Sequence, residues 1–279
     1  MKISIIGLGL IGSSIAIDLR KSGFGKIFLG VDANEIHQIE AIELNIVDQI
    51  VTLEHAIAVS DLIILATPVN ISTQILPKIL DKISENSFVT DVGSTKENLI
   101  EVIKNHTNRK QFVAAHPMSG TEKSGPNAAF SGLFENKIAI ICDAENSNKK
   151  ALDTVEKMYQ SLGSNVIFMT AKAHDEHVGY VSHLSHVIAY ALAVAVLEKE
   201  KSGEDILKVA AGGFTSTVRL AKSSAEMWTP IFEQNKKNIL PIIDIYMEKL
   251  AEFRQNLEEN NTEKINEFIK EANKIKKIL

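Results

Sequence analysis

The stretch VAAHPMSGTEKSG, Val113 to Gly125, ends a short apolar run in a histidine and fixes the next residue as proline. His116 is of a type that can act as a general base near neutral pH, and Pro117 narrows the exit path by holding its φ. Two other segments carry groups with chemistry to offer. DVGSTKENL places Ser94 and Thr95 in a turn before a helix. AAGGFTSTVRLAKSSAEMW carries Arg219, whose planar fork can bind both oxygens of a carboxylate. Each also has an ordinary structural reading: a satisfied buried histidine, a helix-capping serine, an exposed helix arginine.

A cofactor is easier to read. KISIIGLGLIGSSIAIDLR sets Gly7-x-Gly9-x-x-Gly12 directly after a strand and at the start of a helix. The first glycine permits a tight turn, the second lets backbone approach a pyrophosphate, and the third allows close helix–strand packing. The expected cradle is the backbone from Gly7 and Gly9 through Leu10 and Ile11 to Gly12, where a helix N-terminus offers unpaired N–H groups. A second strand follows, ending in Asp32, where an acidic residue would take the ribose hydroxyl. No arginine adjoins Asp32, so NAD is expected rather than NADP. The third strand candidate ends in Thr67-Pro68, which either lines the cofactor cleft or is a plain loop.

HDEHVGYVSHLSHVIAYAL packs four histidines into a short span. On an ideal helix His174 and His177 point roughly opposite to His183 and His186, and no HExxH or matching cysteine set is present. No metal site is expected. One histidine pair can face a cleft while the other meets solvent or a domain contact.

The elements that would position these groups follow from hydrophobic pattern. Strands are expected over Lys2–Ile6, Lys26–Val31, Leu62–Ala66, Phe88–Asp91, Phe112–Ala115, Lys137–Ile141 and Val166–Met169, mostly Ile/Val-rich and nearly continuous, as in sheets covered on both faces. Helical patterns such as Gly12–Ser22, Ile71–Lys82 and Lys149–Leu162 alternate with them. The fold class is therefore α/β, a Rossmann-type mostly parallel sheet over residues 1–170. From about Ala171 only helical periodicity remains, giving an all-α domain over residues 171–279. In it Gly212-Gly213 is expected to break one helix, and Thr215 or Ser216 to cap the next.

Composition narrows the function classes. The chain has 279 residues, 45% hydrophobic and 23% charged, with a net charge of −5, so no electrostatic footprint for nucleic acid is present. A lone cysteine, Cys142, excludes an intramolecular disulfide framework and fits a reducing, cytoplasmic compartment. The apolar N-terminus holds spaced glycines and runs into amphipathic helix, so it is not read as a targeting signal. The apolar run Val187–Leu197 is too short to span a bilayer. Its all-round hydrophobicity suggests a helix buried within a domain or between subunits.

Taken in order, GLGLIG, ATPV, DVGSTK, AHPMSGTEKSG, SHLSH and the GGF-to-MW segment resemble the prephenate/arogenate dehydrogenase family of tyrosine biosynthesis over essentially the whole chain. The resemblance implies NAD-dependent oxidative decarboxylation of prephenate, or the same reaction on arogenate; a homodimer through the helical domain is expected from the apolar Val187–Leu197 helix. The resemblance also implies that His116 polarises or deprotonates the ring hydroxyl, that Ser94 orients that hydroxyl and the nicotinamide, and that Arg219 holds a substrate carboxylate. His186, Thr121, Glu122, Gly212, Trp228 and His183 would line the rest of the pocket. The chain departs from the familiar pattern at Val92, Ser185 and Ser216, where Gln, Pro and an acidic residue occur in relatives; the last puts feedback by tyrosine in doubt. No fused mutase is expected before the glycine motif, and no room for a regulatory ACT domain after the helices. Two other classes share the layout: an imine or β-hydroxyacid reductase, which would need a catalytic lysine or tyrosine on the long helix, and a dinucleotide-sensing module without catalysis.

Overall fold

Apolar runs with no polar face are stable only where both faces are covered. The chain, described here by a computed structural model over residues 1–201 and 205–278, puts them in the middle layer of an α/β sandwich. The strands are β1 (Lys2–Ile6), β2 (Ile27–Val31), β3 (Gln49–Ile50), β4 (Leu62–Leu65), β5 (Phe88–Asp91), β6 (Phe112–Pro117), β7 (Ile138–Cys142) and β8 (Asn165–Met169). They form one eight-stranded sheet in the order 3-2-1-4-5-6-7-8. Neighbours run parallel except β6 and β7, which pair antiparallel from Ala114 opposite Cys142 to Pro117 opposite Ala139.

The helices α1 (Leu10–Lys21), α2 (Glu35–Glu43), α3 (Leu53–Val59), α4 (Val69–Lys82), α5 (Glu97–Glu101) and α6 (Lys149–Ser161) cover the faces. One core layer joins Ile3, Ile5, Leu19, Phe28 and Tyr159; the other joins Ile63, Leu65, Leu76, Leu80 and Phe112. Each such fully buried aliphatic side chain contributes about 1.5–3 kcal/mol relative to exposure. Strand order reverses between β1 and its neighbours β2 and β4, which opens a ligand crevice at the carboxyl ends of those strands.

Helical elements follow the sheet. Helix α7 (Ala171–Val178) leads through a π-helical turn (Gly179–His183) into α8 (Leu184–Lys199). Then come α9 (Gly212–Thr217), a 3₁₀ segment (Val218–Lys222), α10 (Ala225–Gln234), α11 (Lys236–Glu258) and α12 (Thr262–Ala272). A Cβ on Gly179 would lie 2.8 Å from Ile242 Cδ1, so the π turn rests directly against α11 at a residue without a side chain.

The structure corrects several expectations. Strand β6 runs on through His116 and Pro117, so the histidine lies within the ladder rather than beyond it. Gly212 and Gly213 form the first turn of α9 instead of breaking a helix. The hydroxyls of Thr215 and Ser216 bond back to the carbonyls of Ala211 and Gly213 and cap nothing. The π turn makes Ala171–Lys199 one continuous helical segment, long and apolar enough by length and composition to cross a membrane, where an eleven-residue run had been expected to be too short. Residues 171–186 of it, however, include His174, Asp175, His183 and His186, all buried against the rest of the protein. Helix α8 beyond them stays largely uncovered by its own chain, so it is not a helix enclosed within its own domain.

Candidate active site

The glycine turn is shaped by contact and by vacancy. Gly7 has φ +98°, and a Cβ there would strike Ala66 O at 2.4 Å; at Gly12 it would strike Gly7 O at 2.2 Å. At Gly9 a Cβ would meet nothing within 4 Å. The turn is thus pressed onto the end of β4 while Gly9 leaves open space before the start of α1. No side chain caps α1, so the first-turn amides, including those of Leu10 and Ile11, remain available to an anion. The Asp32 carboxylate stands at the end of β2, accepting the Leu8 N–H at 2.6 Å and the Asn34 N–H at 2.8 Å. Thr67-Pro68 adjoins the glycine turn: Pro68 precedes α4, and the Thr67 and Ser72 hydroxyls share a hydrogen bond of 2.9 Å. This cradle fits a dinucleotide: open space at Gly9, free amides beyond it, and a carboxylate at the next strand end.

At the carboxyl ends of β5 and β6 a buried polar network begins. The Lys96 ammonium is fully buried, paired with Asp91 and donating to Ala115 O at 2.7 Å. Asp91 also accepts the N–H groups of Gly93 and Ala115. One ion pair therefore pins the Ser94 turn to the strand that carries His116. Ser94 does not cap α5. That role falls to Asp175 of α7, whose two carboxylate oxygens accept the Lys96 and Glu97 N–H groups at 2.8 and 2.9 Å. The Thr95 hydroxyl donates to Gln234 of α10 at 2.7 Å, tying the same turn to the helical half.

His116 is 8% exposed, and its Nδ1 lies 2.8 Å from His174 Nε2. His174 Nδ1 in turn lies 2.7 Å from Asp175 Oδ1. Burial, then the neighbouring His174, Lys96 and His183, hold His116 well below the usual histidine range, so it is neutral and able to accept a proton. Burial likewise lowers His174 and His186. His183 is pushed down to about 4 by burial; Asn235 Nδ2 donates to its Nδ1 at 2.9 Å, and Trp228 meets it edge-on. His186 stacks on Trp228 with centroids 3.5 Å apart, its Nδ1 on Ser182 O.

The histidines do not divide as an ideal helix predicts. His174, His183 and His186 are all buried, and His177 is exposed. Residues in a π turn advance less about the axis than α residues, so Gly179–His183 shifts the phase and brings His183 round toward the His174 side. Among the described residues no three histidine, cysteine or acidic side chains gather as they would around a metal ion.

Arg219, on the 3₁₀ segment, is half exposed and bridges to Glu122 Oε2 at 3.1 Å across the β6–β7 connection. Its charge is felt at His186. Backbone and Arg219 hydrogen bonds hold the Glu122 carboxyl below the ordinary range. Thr121 is half-buried and accepts the Lys123 N–H; Gly212 is exposed, with open space where a Cβ would point. His174, Asp175, Lys96 and Asn235 were not singled out from sequence as site residues. The one local signal was the paired His-Asp inside AHDEH.

Known proteins match this chain along its length. The family model for the prephenate dehydrogenase nucleotide-binding domain matches residues 15–168, and that for the prephenate dehydrogenase dimerization domain matches residues 170–271. A prephenate dehydrogenase of Bacillus subtilis is 30% identical over 97% of this chain and 74% of its own. The crystal structure of prephenate dehydrogenase from A. aeolicus, in complex with hydroxyphenyl propionate and NAD+, superposes with a TM-score of 0.91 at 33% identity, covering 100% of this chain and 97% of that one. Synechocystis arogenate dehydrogenase superposes at 0.77 with 26% identity, covering 99% of both chains.

Proposed function

The chain belongs to the prephenate dehydrogenase family, and from that premise we propose that it converts prephenate to 4-hydroxyphenylpyruvate and CO₂ with NAD. In that reaction hydride leaves the ring carbon that bears the hydroxyl, while the hydroxyl proton passes to a base. The bond to the ring carboxylate then breaks, CO₂ departs, and its electron pair aromatises the ring. The oxygen regains its proton, and loss of CO₂ makes the step effectively one-way. When bound, the nicotinamide of NAD accepts the hydride.

The observation that carries the reading is His116: a neutral buried imidazole at the carboxyl end of β6, in the strand-end layer that holds the dinucleotide cradle. His116 takes the hydroxyl proton and returns it. Ser94, in the turn that the Asp91–Lys96 pair ties to β6, orients the same hydroxyl. Arg219 exchanges Glu122 for a substrate carboxylate. His186, Trp228, His183, Thr121, Glu122 and Gly212 wall the remaining pocket. Gly7, Gly9, Leu10, Ile11 and Gly12 hold the diphosphate, Asp32 the ribose, and Thr67, Pro68 and Ser94 the nicotinamide end. In this reading residues 1–170 bind the cofactor and residues 171–279 complete the substrate site and join two copies in the cytoplasm.

The dimer reading is supported by α8 and α11, whose Val194, Leu197, Met247 and Leu250 are exposed in one chain. A monomeric mass by light scattering at micromolar concentration would refute it. Arogenate is the second reading, supported by the similarity to the Synechocystis enzyme. The deciding assay follows nicotinamide reduction with prephenate or arogenate against NAD or NADP. Reduction with prephenate and NAD is expected; no reduction in any of the four combinations would sink the reading.

A further inference from the structure

We propose that His174 and Asp175 are positioning residues for the base: the line Asp175–His174–His116 orders the protons so that His116 keeps a bare Nε2 for the substrate hydroxyl. The proposal rests on the reading of His116 as the base, and its first test does not.

The order follows from which atoms can donate. Both Asp175 oxygens already accept a backbone N–H, from Lys96 and from Glu97. A carboxylate so held has lone pairs only to offer, so the 2.7 Å contact to His174 requires the proton on His174 Nδ1. Neutral His174 then has a lone pair on Nε2, and the 2.8 Å contact to His116 requires the proton on His116 Nδ1. What remains on His116 is the Nε2 lone pair, at the far side of the ring. Reversing any one proton in the line would place hydrogen on Nε2 and leave no base.

The same carboxylate does a second job. By accepting the Lys96 and Glu97 amides it fixes the first turn of α5, immediately after Ser94. The two side chains assigned to the ring hydroxyl thus take their positions from one residue of α7, which follows the last strand of the sheet. The charged and titratable groups around His116 are few: Lys96 and Asp91 from the β5 end, His174 and Asp175 from α7, and His183 from the π turn. As His116 takes up the substrate proton, the Asp175 carboxylate beyond His174 faces the new positive charge.

The test begins with the ¹⁵N spectrum of histidine-labelled wild-type protein at neutral pH, with no substrate present. His116 and His174 are both expected in the Nδ1–H form; His116 protonated on Nε2 overturns the proposal whatever the enzyme turns over. Asp175→Asn, whose amide can donate to His174, is expected to switch His116 to the Nε2–H form. It should lower kcat by about 10²- to 10⁴-fold, with KM changed far less, as when a wrong tautomer disables a base elsewhere. Wild-type kcat in Asp175→Asn overturns the line. A second pair guards against misfolding: His174→Gln keeps an acceptor for His116 Nδ1–H, whereas His174→Leu does not. Gln is expected to retain at least about ten-fold more kcat than Leu; equal losses would mean a packing role and refute the ordering.

Discussion

Lowering the pH should destabilise this protein through His183. The side chain is 1% exposed, accepts a hydrogen bond from Asn235 on Nδ1, and is held near 4 against an ordinary 6.5. Above pH 6.5 the folded and unfolded chains both carry it neutral, and it contributes no pH dependence. Between 6.5 and about 4 the unfolded chain binds a proton that the folded chain refuses, so stability falls as pH falls. Below about 4 both forms are protonated and the loss levels off. At about 1.4 kcal/mol per pH unit the full window is worth about 3 kcal/mol. His116 and His174 are lowered too and act in the same direction, so the measurement must isolate one ring. His183→Asn can keep an acceptor for Asn235 and removes the titration. Urea midpoints for wild type and variant, taken from pH 7.5 to 4.5, should converge at the acid end, with wild type losing about 2–3 kcal/mol more. Parallel curves would refute the argument.

Two further outcomes follow from the ion pairs. Lys96→Met leaves Asp91 uncompensated in a fully buried place and should cost about 3–5 kcal/mol in thermal or urea unfolding, with Asp91→Asn/Lys96→Met recovering part of it. A loss below about 1 kcal/mol would mean the pair does not hold the β5 turn. Arg219→Lys keeps the charge but loses the planar fork, so KM for the substrate should rise roughly ten-fold with kcat within about three-fold. A fall in kcat at unchanged KM would move Arg219 from binding to the chemical step.

The sheet was readable because most of its strands are buried on both faces: β1 and β5 have the bounds expected from their apolar cores, while the edge strand β8 leaves Ile167 and Phe168 exposed. Strand β3, Gln49–Ile50, is two residues long and too short to show a period; it exists because it lies beside β2. Helix α2 turns Ile36, Ile39 and Ile42 outward, so its apolar spacing does not mark a core face. His116, Ser94 and Arg219 could be proposed from sequence because their motifs are local. Asp175 could not: its partners Lys96 and Glu97 lie far back in the chain and use backbone donors that leave no mark on residue type. The histidine phases failed for a different reason, since a π turn breaks the 100° rule on which the angles depend.

The reversal between β6 and β7 has a consequence for how such a protein can change. Because β7 returns antiparallel, residues 118–137 leave and re-enter the sheet at the same end, the end that carries His116. They are moored to the cofactor helix, Phe130 N–H on Ser14 and Gly132 N–H on Asp18, and between the moorings and β6 lie Thr121 and Glu122. Doubling the length of such a loop costs only about 0.6 kcal/mol of closure entropy. Substitutions and insertions in this one segment can therefore reshape what the pocket admits, while the strand ends, the glycine cradle and the buried histidines are inherited intact.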